Sequence, residues 1–321
     1  MTITVQAGVN INGNVVVGTR GIEQFTTLQT NVVTFTSNTT WTPPADQFII
    51  TGTMLLVAGG GAGQDLTYTY AALGDKQIAG AAGGGAGGVV ANVDITSNIA
   101  SWLGSGSYTI TVGTGGRLGA LGVNNNPGYG NNSAAFGYTA LGGGSSSLIY
   151  TPFASGSGSQ IVAGTSSGWQ SSAQQITANT QGSNGAAGFG SIVSNVAQGS
   201  AGGGGGFASA GKYGTGLYGT GGDGLVSNIS GANVTYATGG WGPYISAALA
   251  TMTANGLPSN SNTYATWIYG TPPAAVAGSG GNGGASILLA NTTAGFSGNF
   301  TPTPGGDGIC VIKYTYIQKN N

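Results

Sequence analysis

Few residues in this chain have side chains suited to chemistry, and their types narrow what that chemistry would be. Histidine is absent, which removes the commonest general base, the usual Ser and Cys triads and most zinc sites. The acidic residues are Glu23, Asp46, Asp65, Asp75, Asp94, Asp223 and Asp307. Asp223 and Asp307 share a Gly-Gly-Asp-Gly context, and two carboxylates at a suitable separation would suffice for glycoside hydrolysis. The same tetrapeptide also reads as a turn, because Asp bonds its own backbone and Gly supplies positive φ; the context favours the turn. Cys310 stands alone in GICVIKYTY, so it forms no intramolecular disulfide and reads as a small buried strand residue. The inventory offers no metal site and no cofactor site, and the expectation is a protein that is not an enzyme.

Glycine is the other feature with a chemical reading. It supplies 66 of 321 residues, and the stretch SAGGGGGFASAGKYGTGLYGTGGDG, Ser200 to Gly224, is dominated by it. Such a run reads as a nucleotide-binding loop, a disordered linker or an ordered scaffold. GGGAGG at Gly83–Gly88 and GSGGNG at Gly278–Gly283 have the dinucleotide spacing G-x-G-x-x-G, but chance matches are expected at this glycine content. That motif works only between a strand and a helix whose N-terminus holds the pyrophosphate, whereas Gly83–Gly88 precedes VVANVDIT, a strand pattern. Gly211-Lys212 precedes Tyr213 rather than Ser or Thr, so the Walker pattern fails too.

Charge bounds the partners. Charged residues make up 4% of the chain, the net charge is −1, and 40% of residues are apolar or aromatic. Arg20, Lys76, Arg117, Lys212, Lys313 and Lys319 are scattered singly, so no basic stripe exists to neutralise phosphates and nucleic acid is excluded as a partner. Disordered chains combine low hydrophobicity with high net charge; this one has neither, and an ordered protein is expected. MTITVQAGVNINGN lacks a basic segment followed by an apolar one, so no secretory signal is read and synthesis in the cytoplasm follows. FIITGTMLLVAGG is too short to span a bilayer.

The elements that must position these residues are strands. ITVQAGVNINGNVVVGT alternates around Asn12-Gly13, a two-residue hairpin signal. NVVTFTSNTTWTPP, QFIITGTMLLVAG, GGVVANVDIT, GSYTITVGTGG and GDGICVIKYTYI are rich in β-branched and aromatic residues that favour a pleated surface. Ile245–Gly256, ISAALATMTANG, is the best helix candidate, with Gly256 as its stop. The expected fold is all-β: sandwich-like strands flanking a glycine-rich core of polyglycine-II-type helices, with little or no α-helix. Glycine-only faces would let such helices approach closely enough to pair the backbone groups that each leaves unbonded. A disordered linker is the alternative. Collagen is excluded, because the clusters lack a strict period of three and there are only ten prolines.

VVTFTSNTTWTPPADQFIITGTMLLVAGGGAG, SYTITVGTGG and the terminal GGDGICVIKYTY together resemble the glycine-rich domain of tail fibres and other receptor-binding proteins of bacteriophages. The resemblance runs from about Val32 to Tyr316, with Trp41, Tyr108 and the Gly305–Tyr316 ending as its anchors. The arrangement is also similar to the tip adhesins of T-even-type phage fibres. The NIASWLGSG insertion and the glycine-poor stretches near Ser145–Thr180 and Ala232–Pro273 depart from the pattern. The resemblance implies a virion protein displayed on the particle exterior. It would be a homotrimer that contacts other virion proteins and binds a host surface glycan or outer-membrane protein. Residues 1–30 would be an attachment or inter-subunit segment and residues 31–321 the glycine-rich domain.

A rigid scaffold presents its binding residues on loops. The segments between glycine clusters are rich in Tyr, Trp, Ser, Asn and Gly, as antibody binding loops are. Candidate receptor contacts are therefore Trp169 in SSGWQSS, Tyr213 and Tyr218 in KYGTGLY, Trp241 and Tyr244 in YATGGWGPY, and Trp267 and Tyr269 in NTYATWIYG. The competing assignment makes these rings core residues in place of scarce Leu. The competing function is a purely structural virion or capsid-decoration protein.

Overall fold

The computed structural model describes residues 16–18, 21–23, 25–63, 76–80, 82–100, 106–117, 128–145, 154–158, 161–164, 181–193, 196–212, 219–242, 244–248, 265–268, 276–279, 285–289 and 303–319. The Asn12-Gly13 hairpin signal lies outside them. Among the described residues every strand pairing is antiparallel and the one helix is the single turn Thr96–Ile99. The chain is an all-β protein. The Ile245–Gly256 helix candidate is corrected by the strand Tyr244–Ala248; residues 249–256 lie outside the described set. That strand is held between two others, pairing Ser200 on one side and Ile268 on the other through Tyr244, so ladder bonds override the helix propensity of its alanines.

The principal sheet orders its four strands Phe25–Phe35, Ile309–Lys319, Gln47–Val57 and Val89–Asp94. The strand from Phe25 is continuous through Phe35 and pairs with the closing strand over that length, Phe25 opposite Lys319 and Phe35 opposite Cys310. Residues 25–30 of the amino-terminal segment are thus part of the sheet. The run Met54-Leu55-Leu56-Val57 is wholly buried because both faces of the sheet are covered, which is why it reads as continuously apolar. Met54, Leu56, Cys310, Ile312 and Tyr314 face one core with Trp41, Ile95, Ile99 and Ile110. Leu55, Val57 and Val311 face the other, closed by Ile229, Tyr236 and Ala237. Burying each such side chain stabilises by about 1.5–3 kcal/mol.

Trp41 organises the first core. Its ring centroid stands 6.2 Å from that of Phe35, 6.3 Å from Tyr108, 6.4 Å from Phe136 and 6.0 Å from Tyr314. Strands Thr39–Trp41 and Tyr108–Ile110 pair with Trp41 opposite Tyr108, so the two aromatic anchors of the sequence pattern are register partners. The helical turn packs beside them: Tyr108 Oη donates to the Asn98 carbonyl, and Ile99 rests on Gly52, where any Cβ would meet its Cδ1 at 2.3 Å.

From this sheet the chain leaves in glycine segments that bond one another. The amides of Ala58, Gly59, Gly60, Gly61, Ala62 and Gly63 donate in turn to the carbonyls of Gly88, Asn131, Gly306, Gly85, Gly128 and Thr303. Partners therefore recur every third residue, with 58 and 61 bonding one neighbour, 59 and 62 a second, and 60 and 63 a third. In each pair the acceptor steps back three as the donor advances three. Other neighbours run parallel, as Gly83 donates to Gly202 and Ala86 to Gly205. A three-residue repeat is what an extended backbone with three residues per turn delivers, since it makes no bonds within itself and points its amides in three directions. Each amide needs a partner once buried, and three surrounding segments supply it.

Such approach leaves no room for side chains. A Cβ on Gly204 would stand 1.9 Å from the Gly84 carbonyl oxygen, one on Gly60 1.9 Å from that of Ser279, and one on Gly85 2.1 Å from that of Ser155. Backbone cannot give way as a flexible side chain can. Gly137, by contrast, lies in the turn between Ser133–Ala135 and Tyr138–Ala140 with φ +81, and a methyl there would meet nothing within 4 Å. Gly204→Ala is therefore expected to abolish folding, whereas Gly137→Ala should lower stability by only about 1 kcal/mol through its left-handed backbone. Thermal unfolding of the two variants checks this; equal, mild losses would mean that the segments are not packed on their backbones.

Candidate functional site

The glycine segments have two ends. Ala58 and Gly88 adjoin the principal sheet, and Gly61 and Gly85 lie further along the same bonded pair. The bonded pairs Gly83–Gly202 and Ala86–Gly205 place residues 83 and 202 at the end away from the sheet. At that far end lie two further sheets, one ordered Ile161–Gly164, Lys76–Gly80, Ala285–Leu289 and one ordered Phe189–Val193, Val196–Ser200, Tyr244–Ala248, Ala265–Ile268. They touch through Lys76–Gly80, which contacts both Val196–Ser200 and Tyr244–Ala248. Val196–Ser200 leads directly into the segment 201–206.

Several of the aromatic candidates share this end. Gly219 and Gly242 exchange two backbone bonds, 3.0 and 2.8 Å, and Lys212 donates to Thr220 at 2.8 Å. These bonds close the base of the 213–218 loop beside Trp241, which is half-buried. Three residues after Trp241, Tyr244 opens a strand, opposite Ile268, and Trp267 is opposite Ile245 in the next register. The backbone positions of Trp241, Tyr244 and Trp267 are thus brought together with the base of the Tyr213–Tyr218 loop. Trp169, Tyr213, Tyr218 and Tyr269 themselves lie outside the described residues. What the arrangement shows is three candidate positions and the two ends of the 213–218 segment held together by backbone bonds.

The groups considered for catalysis are engaged elsewhere. Asp307 Oδ1 accepts the Gly115 amide at 2.7 Å. Asp223 Oδ2 is 3.0 Å from Ser209 Oγ, which in turn accepts the Asp223 amide at 2.8 Å. Asp307 thus ties two glycine segments together, and Asp223 ties one to the bend at 207–209. Gly83–Gly88 lies among those segments and runs into the strand Val89–Asp94, with no helix after it to hold a pyrophosphate. No cluster of three metal-ligating side chains occurs among the described residues.

One concave feature went unremarked in the sequence. A cleft of about 210 Å³ opens on the principal sheet, lined by Thr51, Thr53, Asn92, Asn228, Ile229, Lys313, Tyr314 and Thr315. Its only trace in the sequence is the alternation of polar residues in ITGT and IKYT, which reads equally well as an ordinary solvated strand face.

The geometry defines an antiparallel β-protein whose sheets are joined by mutually bonded glycine segments. The chain belongs to the glycine-rich domain family, whose model matches residues 33–315. No curated protein matches it.

Cys310 lies in the first core, and burial pushes its thiol up to about 12. This folded value exceeds the unfolded one of about 8.5, so the contribution is complete below the unfolded value and is lost as pH rises through the folded one. At about pH 8 the native chain should resist iodoacetamide and react fully once unfolded in guanidinium. Rapid labelling of the native protein, followed by mass spectrometry, would instead show that the closing strand opens.

Proposed function

We propose that this chain is a non-enzymatic component of a bacteriophage particle, displayed on its exterior as part of a tail fibre or spike, and that it binds the host cell surface. The glycine segments act as polyglycine-II-type helices, a stiff and nearly uncharged spacer between the principal sheet and the receptor-binding end. The observation that carries this reading is the gathering of Trp241, Tyr244, Trp267 and the base of the Tyr213–Tyr218 loop at one end of a backbone-bonded platform. Rings there would stack on sugar faces or on an outer-membrane protein while neighbouring Ser and Asn supply hydrogen bonds. Trp41→Ala would break the fold, because that ring sits in the core. Trp241→Ala and Trp267→Ala should instead keep the melting temperature and weaken attachment to host cells, by about 2 kcal/mol or more if they are hot spots. Variants that melt early with adhesion lost in proportion would make these rings structural. Variants unchanged in both measurements would favour a structural or decoration role without receptor binding.

Assembly into a homotrimer, in contact with other virion proteins, belongs to the same proposal. The strand Phe25–Phe35 is the outer strand of the principal sheet. It contains no charge and no proline, and it exposes Leu28 to 60%. An edge without such guards is a template for another chain, and closed symmetry is the usual way to use it. Sedimentation at low protein concentration should give a stable trimer; a monomer would point to a tip subunit carried by a different protein.

A further inference from the structure

We propose that the cleft on the principal sheet binds a saccharide unit bearing one carboxylate. Two rungs of side chains form its base, because Thr51 pairs with Thr315 and Thr53 with Lys313 across the central strands. They share the face of Leu55, Val57 and Val311, but lie beyond the part of it that the hairpin Leu225–Ser227 and Val234–Tyr236 covers. Ile229 and Asn228 of that hairpin close one side, Ile229 being buried.

The other side is supplied by a defect in the sheet. Val89–Asp94 pairs Asp94 with Thr53 and Val93 with Met54, then resumes at Val90 opposite Leu56. Ala91 and Asn92 together therefore face Leu55. Asn92 takes a left-handed backbone, φ 55, which Asn adopts more readily than other non-glycine residues. A bulge of this kind re-aims a side chain, and here Asn92 lines the cleft.

The groups so gathered bond little to the protein, and Thr51, Asn92, Asn228 and Lys313 are exposed. Thr51 and Thr315 share a hydrogen bond of 2.6 Å. The Lys313 ammonium, the Thr53 hydroxyl and the Asn92 and Asn228 side-chain amides have no hydrogen bond or ion pair with any described residue. Lys313 is the one charged residue in the lining. Asp94, opposite Thr53 on the neighbouring strand, is engaged in its own loop, where Oδ1 accepts the Thr96 amide at 2.8 Å. One compact cation with no anion in the lining suits a single carboxylate, because an ammonium acts as a point charge. Hydroxyls and carboxamides around it suit alcohol groups on the same molecule. The volume of about 210 Å³ lies below the 300 Å³ or so at which drug-sized sites begin, a size for one ring.

Thr51 and Thr315 are six residues along their strands from Val57 and Ile309, about 20 Å at strand rise. The cleft thus lies at the opposite end from Trp241, and its test is independent of cell attachment. Titration of the full-length chain with D-glucuronate, followed by NMR, should show saturable binding with Kd near 1 mM, and about tenfold weaker binding of D-glucose and of acetate. Lys313→Gln should remove the preference for glucuronate over glucose. Asn92→Gly, which suits the left-handed backbone, should keep or raise the melting temperature while weakening glucuronate roughly fivefold. The proposal is overturned if glucuronate does not saturate, if acetate binds as tightly, or if both variants bind it as the parent does.

Discussion

The structure depends on one contact, a backbone carbonyl seated where a neighbouring glycine would carry its Cβ. At Gly204 the seated oxygen belongs to Gly84, and the Gly84 carbonyl also accepts the amide of Gly240. Gly204 in turn donates to Gly240. One carbonyl is thus packed against one segment and bonded to another, so the position of each segment fixes that of the next. Ordinary cores reach this density by fitting side chains together; here peptide planes do the fitting, and a rotamer search is never needed.

Glycine loses more conformational freedom on folding than any other residue, so this arrangement must be offset elsewhere. Part of the offset comes from the principal sheet, where Leu55, Leu56, Val57 and Ile312 are fully buried and the rings of Phe35, Tyr108, Phe136 and Tyr314 surround Trp41. The sheet and the segments are tied at their junction. The Ser133 hydroxyl donates to the Val57 carbonyl and accepts the Gly113 amide, both at 2.8 Å, linking the last residue of a strand to the first residues of a glycine segment. The apolar sheet sets where each segment begins, and the three-residue repeat carries that registration outward.

The strands were legible in the sequence because their signals are local: β-branched and aromatic residues mark Gln47–Val57, Val89–Asp94 and Ile309–Lys319 directly. Trp41 and Tyr108 were legible as anchors, but not as partners, since their pairing joins residues far apart in the chain. Ile245–Gly256 misled because alanine has high helix propensity, while the ladder bonds that make Tyr244–Ala248 a strand come from distant residues. The glycine clusters signalled close packing without saying which cluster meets which, because identical residues carry no register. The gathering of Trp241 with Tyr244 and Trp267 and the bulge at Asn92 are consequences of pairing, invisible to composition and spacing.

The glycine segments have a thermal consequence as well. Unfolding a usual core exposes hydrocarbon and raises heat capacity, whereas exposing peptide groups lowers it. A bundle whose buried material is largely backbone therefore unfolds with a smaller heat-capacity change per residue than a domain filled with Leu and Ile. Its stability curve is flatter, with the cold and hot limits drawn apart. A protein built in this way holds its shape over a wide span of temperature with a modest maximum stability.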